Sequence, residues 1–100
     1  MQKRVKTFVD QFDLSCSAQM RYIDLVSEVG ELGKEIIKGS NYGKEPCRAV
    51  IQTEEEIGDC LFSLLALCCE LDIDAKTALD CAMKKYETRF AAKGSIDSGR

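Results

Sequence analysis

The sequence contains no histidine and no tryptophan, and its only proline is Pro46. Without histidine there is no Glu-x-x-His pair of the kind that builds di-iron sites in helical bundles. None of the cysteines at 16, 47, 60, 68, 69 and 81 forms a Cys-x-x-Cys pair, so the usual zinc spacing is missing. No apolar N-terminal run suggests secretion, so a disulfide framework is not expected. The cysteines at 60, 68, 69 and 81 fall at apolar helical positions and read as small buried hydrophobes. Strand-like alternation of β-branched residues is also missing. The longest apolar stretch, 57–69, is interrupted by Asp59 and is too short to span a bilayer. The chain therefore reads as cytoplasmic. Positive charge is not in excess: 14 basic residues face 17 acidic ones, for a net charge of -3. That balance gives no attraction to nucleic acid or to an anionic membrane.

What is present is helical periodicity in a chain of 100 residues, 45% hydrophobic and 31% charged. This is one domain with a thin core, which burial on a partner chain would extend. Val5, Phe8, Val9 and Phe12 share the face of a first helix, over 2–12. After a break at 13–17, where Ser15 or Ser17 can cap, a second helix runs to Lys38. Its apolar stripe is Tyr22, Leu25, Val26, Val29, Leu32, Ile36 and Ile37. Gly39 marks its stop, and Pro46 suits the first turn of a third helix that continues to Leu71. Asp74 is placed to cap a fourth helix over 75–92. The pattern predicts an all-α fold with a four-helix bundle-type protomer over 1–93. Residues 94–100 read as a loose tail.

The organising feature is a repeated pair of carboxylates, Glu28-Val-Gly-Glu31 and Glu56-Ile-Gly-Asp59. At ~100° per residue, Asp24, Glu28, Glu31 and Glu35 fall within a stripe about 60° wide. Glu-x-x-Glu alone is common on solvated helix faces. The second pair is more telling, because Asp59 is the only charge in the apolar run. If that run is buried, an unpartnered carboxylate there costs several kcal/mol, on the order of its desolvation, or becomes neutral. Asp59 then needs a cation or a strong donor. With the two helices antiparallel, both pairs can face one point. The oxygen ligands would suit Mg²⁺, with Mn²⁺ as the alternative.

These motifs resemble those of the MazG-like nucleoside triphosphate pyrophosphohydrolases, in the all-α NTP pyrophosphatase superfamily. The resemblance covers about 18–93. Its parts are Leu25–Leu32 (LVSEVGEL), Glu55–Leu65 (EEIGDCLFSLL) and the basic–aromatic Lys85–Phe90 (KYETRF). It implies Glu28, Glu31, Glu56 and Asp59 as metal-binding and catalytic residues. The metal gathers a nucleoside triphosphate and activates a water that attacks the α-phosphorus, giving monophosphate and pyrophosphate. Glu31 or Glu28 could instead orient that water. Lys85 and Arg89, one turn apart, would bind substrate phosphates; otherwise they are cations favoured near a helix C-terminus. Long helices would pair in a homodimer or a dimer of dimers, and the role would be nucleotide-pool housecleaning. Two positions depart from the family pattern: Ser27 replaces a glutamate before the first ligand, and Met83 replaces an asparagine on the last helix.

Two other readings fit the same residues. One is a pyrophosphohydrolase for a dedicated metabolite such as dUTP or phosphoribosyl-ATP. The other is a non-catalytic helical oligomer or nucleotide sensor. Tyr42, Phe8 and Phe12 could stack on a base, although an amphipathic first helix explains the two phenylalanines more simply.

Overall fold

Three of the chain's helices stop in the same way, and those stops set its geometry. The computed structural model describes residues 1–93, and the expected tail at 94–100 lies outside the described residues. The helices are α1 (Gln2–Gln11), α2 (Ala18–Gly39), α3 (Ile51–Glu70) and α4 (Ala75–Lys93), with no strand among the described residues. After α1, α2 and α3 the backbone turns left-handed at Asp13, Asn41 and Asp72, with φ of 52°, 50° and 54°. In each case the next amide bonds back into the last turn: Leu14 to Val9, Tyr42 to Ile37 and Ile73 to Cys68, at 2.8–2.9 Å. This is the Schellman arrangement, with Asp or Asn taking the place that glycine most often fills.

Gly39 therefore does not end α2 by a left-handed turn, as the sequence suggested. It is the last helical residue, and a Cβ there would lie 2.9 Å from the Arg48 carbonyl oxygen and 3.0 Å from the Cys47 sulfur. Its own carbonyl accepts the Arg48 amide at 3.1 Å. Glycine is needed for this close approach. Pro46 also differs from expectation. It lies in the connecting segment, because α3 begins only at Ile51, where the Thr53 hydroxyl accepts the Val50 amide at 3.1 Å. Ser17 rather than Ser15 caps α2, accepting the Met20 amide. Ser15 instead donates to Glu70.

Cross-helix contacts fix the direction of packing. Gly39 meets Arg48, Arg21 lies over the Phe62 ring at 6.0 Å, and Ser15 reaches Glu70. As the residue numbers rise on one side of these pairs they fall on the other, so α2 and α3 are antiparallel neighbours and form the most extensive helix contact among the described residues. On another side of α3 sits α1, where Phe8 makes an edge contact to Phe62 at 6.1 Å and Val9 is buried. By contrast, α4 packs along none of the other three helices.

The resulting core is small. Among the described residues, the buried hydrophobics are Val9, Leu65 and Ala66. Arg21 is buried with its guanidinium donating to the Leu14 carbonyl, and its Nε has no hydrogen-bond partner. Large apolar residues remain exposed on α2 (Val26, Val29, Ile37), α3 (Ile57, Leu61, Leu64) and α4 (Leu79, Met83, Phe90). The expectation for the cysteines needs correcting: Cys60, Cys68 and Cys69 are only half-buried, and Cys81 is exposed because α4 stands apart.

Candidate active site

The acid stripe of α2 meets the polar face of α3 because antiparallel packing brings the middle of one helix against the first half of the other. Carboxylate oxygens of Glu28, Glu56 and Asp59 all lie within 4.8 Å of one another. Glu28 comes from α2, while Glu56 and Asp59 are three residues apart on α3, so they share a face. Among the described residues no ion pair involves these three carboxylates, and three converging hard oxygen donors are suited to a divalent cation.

Glu56 carries the electrostatic signature of this arrangement. Partial desolvation raises its pKa above the ordinary carboxylate value, and the charges of Asp59, Glu28, Glu31 and Glu35 push the same way. Cys60, on the next residue of α3, is raised by desolvation and then by Glu28, Glu56 and Asp59. The negative field thus extends beyond the three oxygens themselves.

Other expected site residues are placed less centrally. Glu31 lies outside the three-oxygen group and is 3.9 Å from Lys34 on its own helix. It is still near enough to raise Glu56. Asp59 is exposed in the single chain, contrary to the expectation that the apolar run would bury it. The reason is that α1 and α2 cover only part of α3, leaving its remaining face open. Lys85 is exposed with its Nζ 5.0 Å from the centre of the Tyr86 ring, and Arg89 is half-buried. Because α4 packs along neither α2 nor α3, its own chain does not carry this basic pair onto the acids. Ser27 and Met83 are both exposed.

Glu35 was visible in the acid stripe but was not singled out by the sequence. Its side chain is only 20% exposed, it pairs with Lys38 at 3.6 Å, and its charge bears on Glu56. The signal was its spacing of seven residues from Glu28, two helical turns along the same face. Glu35 and Lys38 also line a cleft of about 360 Å³ with Gly39, Val50 and Gln52. Gln52 lies one turn before Glu56, so this cleft adjoins the acid cluster. An apolar hollow lined by Met1, Val5, Phe8, Gly58, Leu61 and Phe62 opens on the opposite side of α3. Phe8 is engaged there with Phe12, at 4.9 Å between centroids. Positions Gly30, Gly33 and Gly58 have nothing within 4 Å of a notional Cβ. Among the described residues they are not narrow points of approach.

Residues 17–91 match the MazG nucleotide pyrophosphohydrolase domain. The chain belongs to the MazG nucleotide pyrophosphohydrolase family. It is similar to the uncharacterized protein YpjD of Bacillus subtilis strain 168, with 36% identity over 93 residues, covering 89% of this chain and 82% of YpjD. A crystal structure of a Bacillus-conserved MazG protein, a nucleotide pyrophosphohydrolase, superimposes with a TM-score of 0.72 at 33% identity, covering 86% and 84% of the two chains. A crystal structure of Bacillus subtilis YpjD gives a TM-score of 0.72 at 38% identity, covering 88% and 90%. The MazG match includes both acid pairs and Lys85 and Arg89.

Proposed function

We propose that this MazG-family chain is a Mg²⁺-dependent enzyme that cleaves a nucleoside triphosphate to the monophosphate and pyrophosphate. The observation that carries the reading is the convergence of Glu28, Glu56 and Asp59 within 4.8 Å, on helices that match the family. These three carboxylates would hold the ion, with Mn²⁺ as the alternative. The raised pKa of Glu56 fits such a site, because a cation relieves both causes of the shift. When bound, Mg²⁺ offsets the charge of the triphosphate and lowers the pKa of a water.

The chain's own residues then have distinct tasks. Glu31, at the edge of the group, orients the attacking water and accepts its proton. The water oxygen bonds to the α-phosphorus, and the bond to the α,β-bridging oxygen breaks, releasing pyrophosphate. Lys85 and Arg89 bind the phosphates that leave. The cleft beside Glu35 and Gln52 is open to receive the nucleoside end. Housecleaning of the cytoplasmic nucleotide pool is the role that fits this chemistry.

Pairing of two copies, or of two such pairs, belongs to the same proposal. The radius of gyration is 16.6 Å, whereas a compact chain of this length has about 13 Å. The apolar stripe of α4, with Leu79, Met83 and Phe90, is exposed, and no other helix among the described residues packs along it.

The test is pyrophosphate release from a panel of NTPs and dNTPs with Mg²⁺. Wild type is expected to release pyrophosphate, and Glu56→Gln and Asp59→Asn to lose at least ~100-fold in kcat/KM, as for removal of a key electrostatic group. Nucleotide binding without turnover would favour the sensor reading. Full activity in both variants would remove the acid cluster from the mechanism.

A further inference from the structure

The start of α4 is held from an unexpected direction. The Gln2 side-chain amide, from the first residue of α1, donates from Nε2 to the Ile73 carbonyl at 2.7 Å. Its Oε1 accepts the Ala75 amide, the first of α4, at 2.7 Å. Asp74 accepts the Thr77 hydroxyl at 2.6 Å, and the Thr77 and Lys76 backbone draws its pKa down. The Ala78 amide begins the regular helix on the Asp74 carbonyl. Among the described residues, Gln2 is the side chain that bonds an amide of α4's first turn from another helix. Because α4 packs along none of the other helices, its direction depends on this corner.

We infer that Gln2 is a positioning residue for the reaction: it sets the direction of α4 and so the placement of Lys85 and Arg89. The inference rests on the phosphate-binding role proposed above for that pair. Its leverage is geometric. At 1.5 Å per residue, Lys85 lies about 15 Å along α4 from Ala75 and Arg89 about 21 Å. A swing of about 10° at the corner moves these positions by about 3–4 Å. Misplacement of about 1 Å can already cost a site dearly. Gln2 touches no part of the acid cluster, so the metal ligands should not notice its loss.

The experiment compares wild type with Gln2→Met, which keeps the length of the side chain and removes its hydrogen bonds to Ile73 and Ala75, together with a long contact to the Cys69 sulfur. Residual dipolar couplings of α3 and α4 amides report the angle between these helices. Steady-state kinetics and Mg²⁺ titration of the nucleotide-free protein complete the comparison. Expected are a changed α3–α4 angle, KM for nucleotide raised at least fivefold, kcat within twofold, and an unchanged Mg²⁺ midpoint. Lys85→Ala should raise KM in wild type and add little in the Gln2→Met background. An unchanged helix angle, or an unchanged KM, overturns the positioning role. The angle measurement does so even if wild type proves to lack pyrophosphohydrolase activity. If instead Lys85→Ala and Arg89→Ala leave KM unchanged while Gln2→Met raises it, the phosphate-binding assignment fails, and with it this explanation of Gln2.

Discussion

Glu56 gathers the charges of four neighbouring acids, from Asp59 beside it on α3 to Glu28, Glu31 and Glu35 on α2. Its pKa is raised in the folded state, so without metal the native protein holds this proton more tightly than the unfolded chain does. The stability this contributes is full below the ordinary carboxylate range and is lost as pH rises through the raised value. Asp74 acts in the opposite sense. The Thr77 hydroxyl and the amides it accepts lower its pKa, giving stability that is lost on acidification. Comparison with Glu56→Gln isolates the first effect. In EDTA, wild type should lose more melting temperature than Glu56→Gln as pH rises through that window. Millimolar Mg²⁺, binding only the folded state, should restore it increasingly as the proton leaves. Thermal scans with EDTA and with Mg²⁺ check this, and identical pH profiles for the two proteins would contradict it. The i, i+3 spacing made Glu28, Glu56 and Asp59 legible in the sequence. The exposure of Asp59 was not, because an apolar run reveals that a face needs cover without saying whether its own chain supplies it.

The helices themselves were legible to within a few residues, since periodic apolar positions and capping residues act locally. Their stops were less so. Gly39 and Pro46 carried the obvious signals, yet the left-handed turns fall at Asp13, Asn41 and Asp72. Gly39 answers a non-local demand, the approach of Cys47 and Arg48. Asp13 is a useful test of the stop motif. A left-handed Asp is strained relative to glycine, and its carboxylate sits by the negative end of the α1 dipole. Relief of the left-handed strain, ~1–2 kcal/mol, exceeds glycine's entropic cost of ~0.5–1 kcal/mol, so Asp13→Gly should stabilise the protein by about 0.5–1 kcal/mol and raise the melting temperature by a few degrees. A denaturant melt with an unchanged slope and a higher midpoint checks it. A lower midpoint would mean that the Asp13 side chain contributes to the turn.

At the scale of the whole molecule, α1, α2 and α3 form one packed unit and α4 extends from it, tied at its root by Asp74 and Gln2. That division separates the expected site into an acid half, assembled within the chain, and a basic half carried on an arm. The sequence pattern could place Lys85 and Arg89 on one face of a helix but could not say where that helix points. The direction depends on the four-residue connection 71–74 and on a side chain some seventy residues earlier. Pairing of copies would cover the apolar stripes of α2, α3 and α4 and is the proposed route by which the two halves meet. The reaction itself is tested most directly by hydrolysis of a substrate nucleotide in ¹⁸O-water with Mg²⁺, followed by mass spectrometry of both products. The proposed attack places the label in the nucleoside monophosphate and none in pyrophosphate, with turnover collapsing in Asp59→Asn. Label in pyrophosphate, or turnover undiminished in Asp59→Asn, would contradict it.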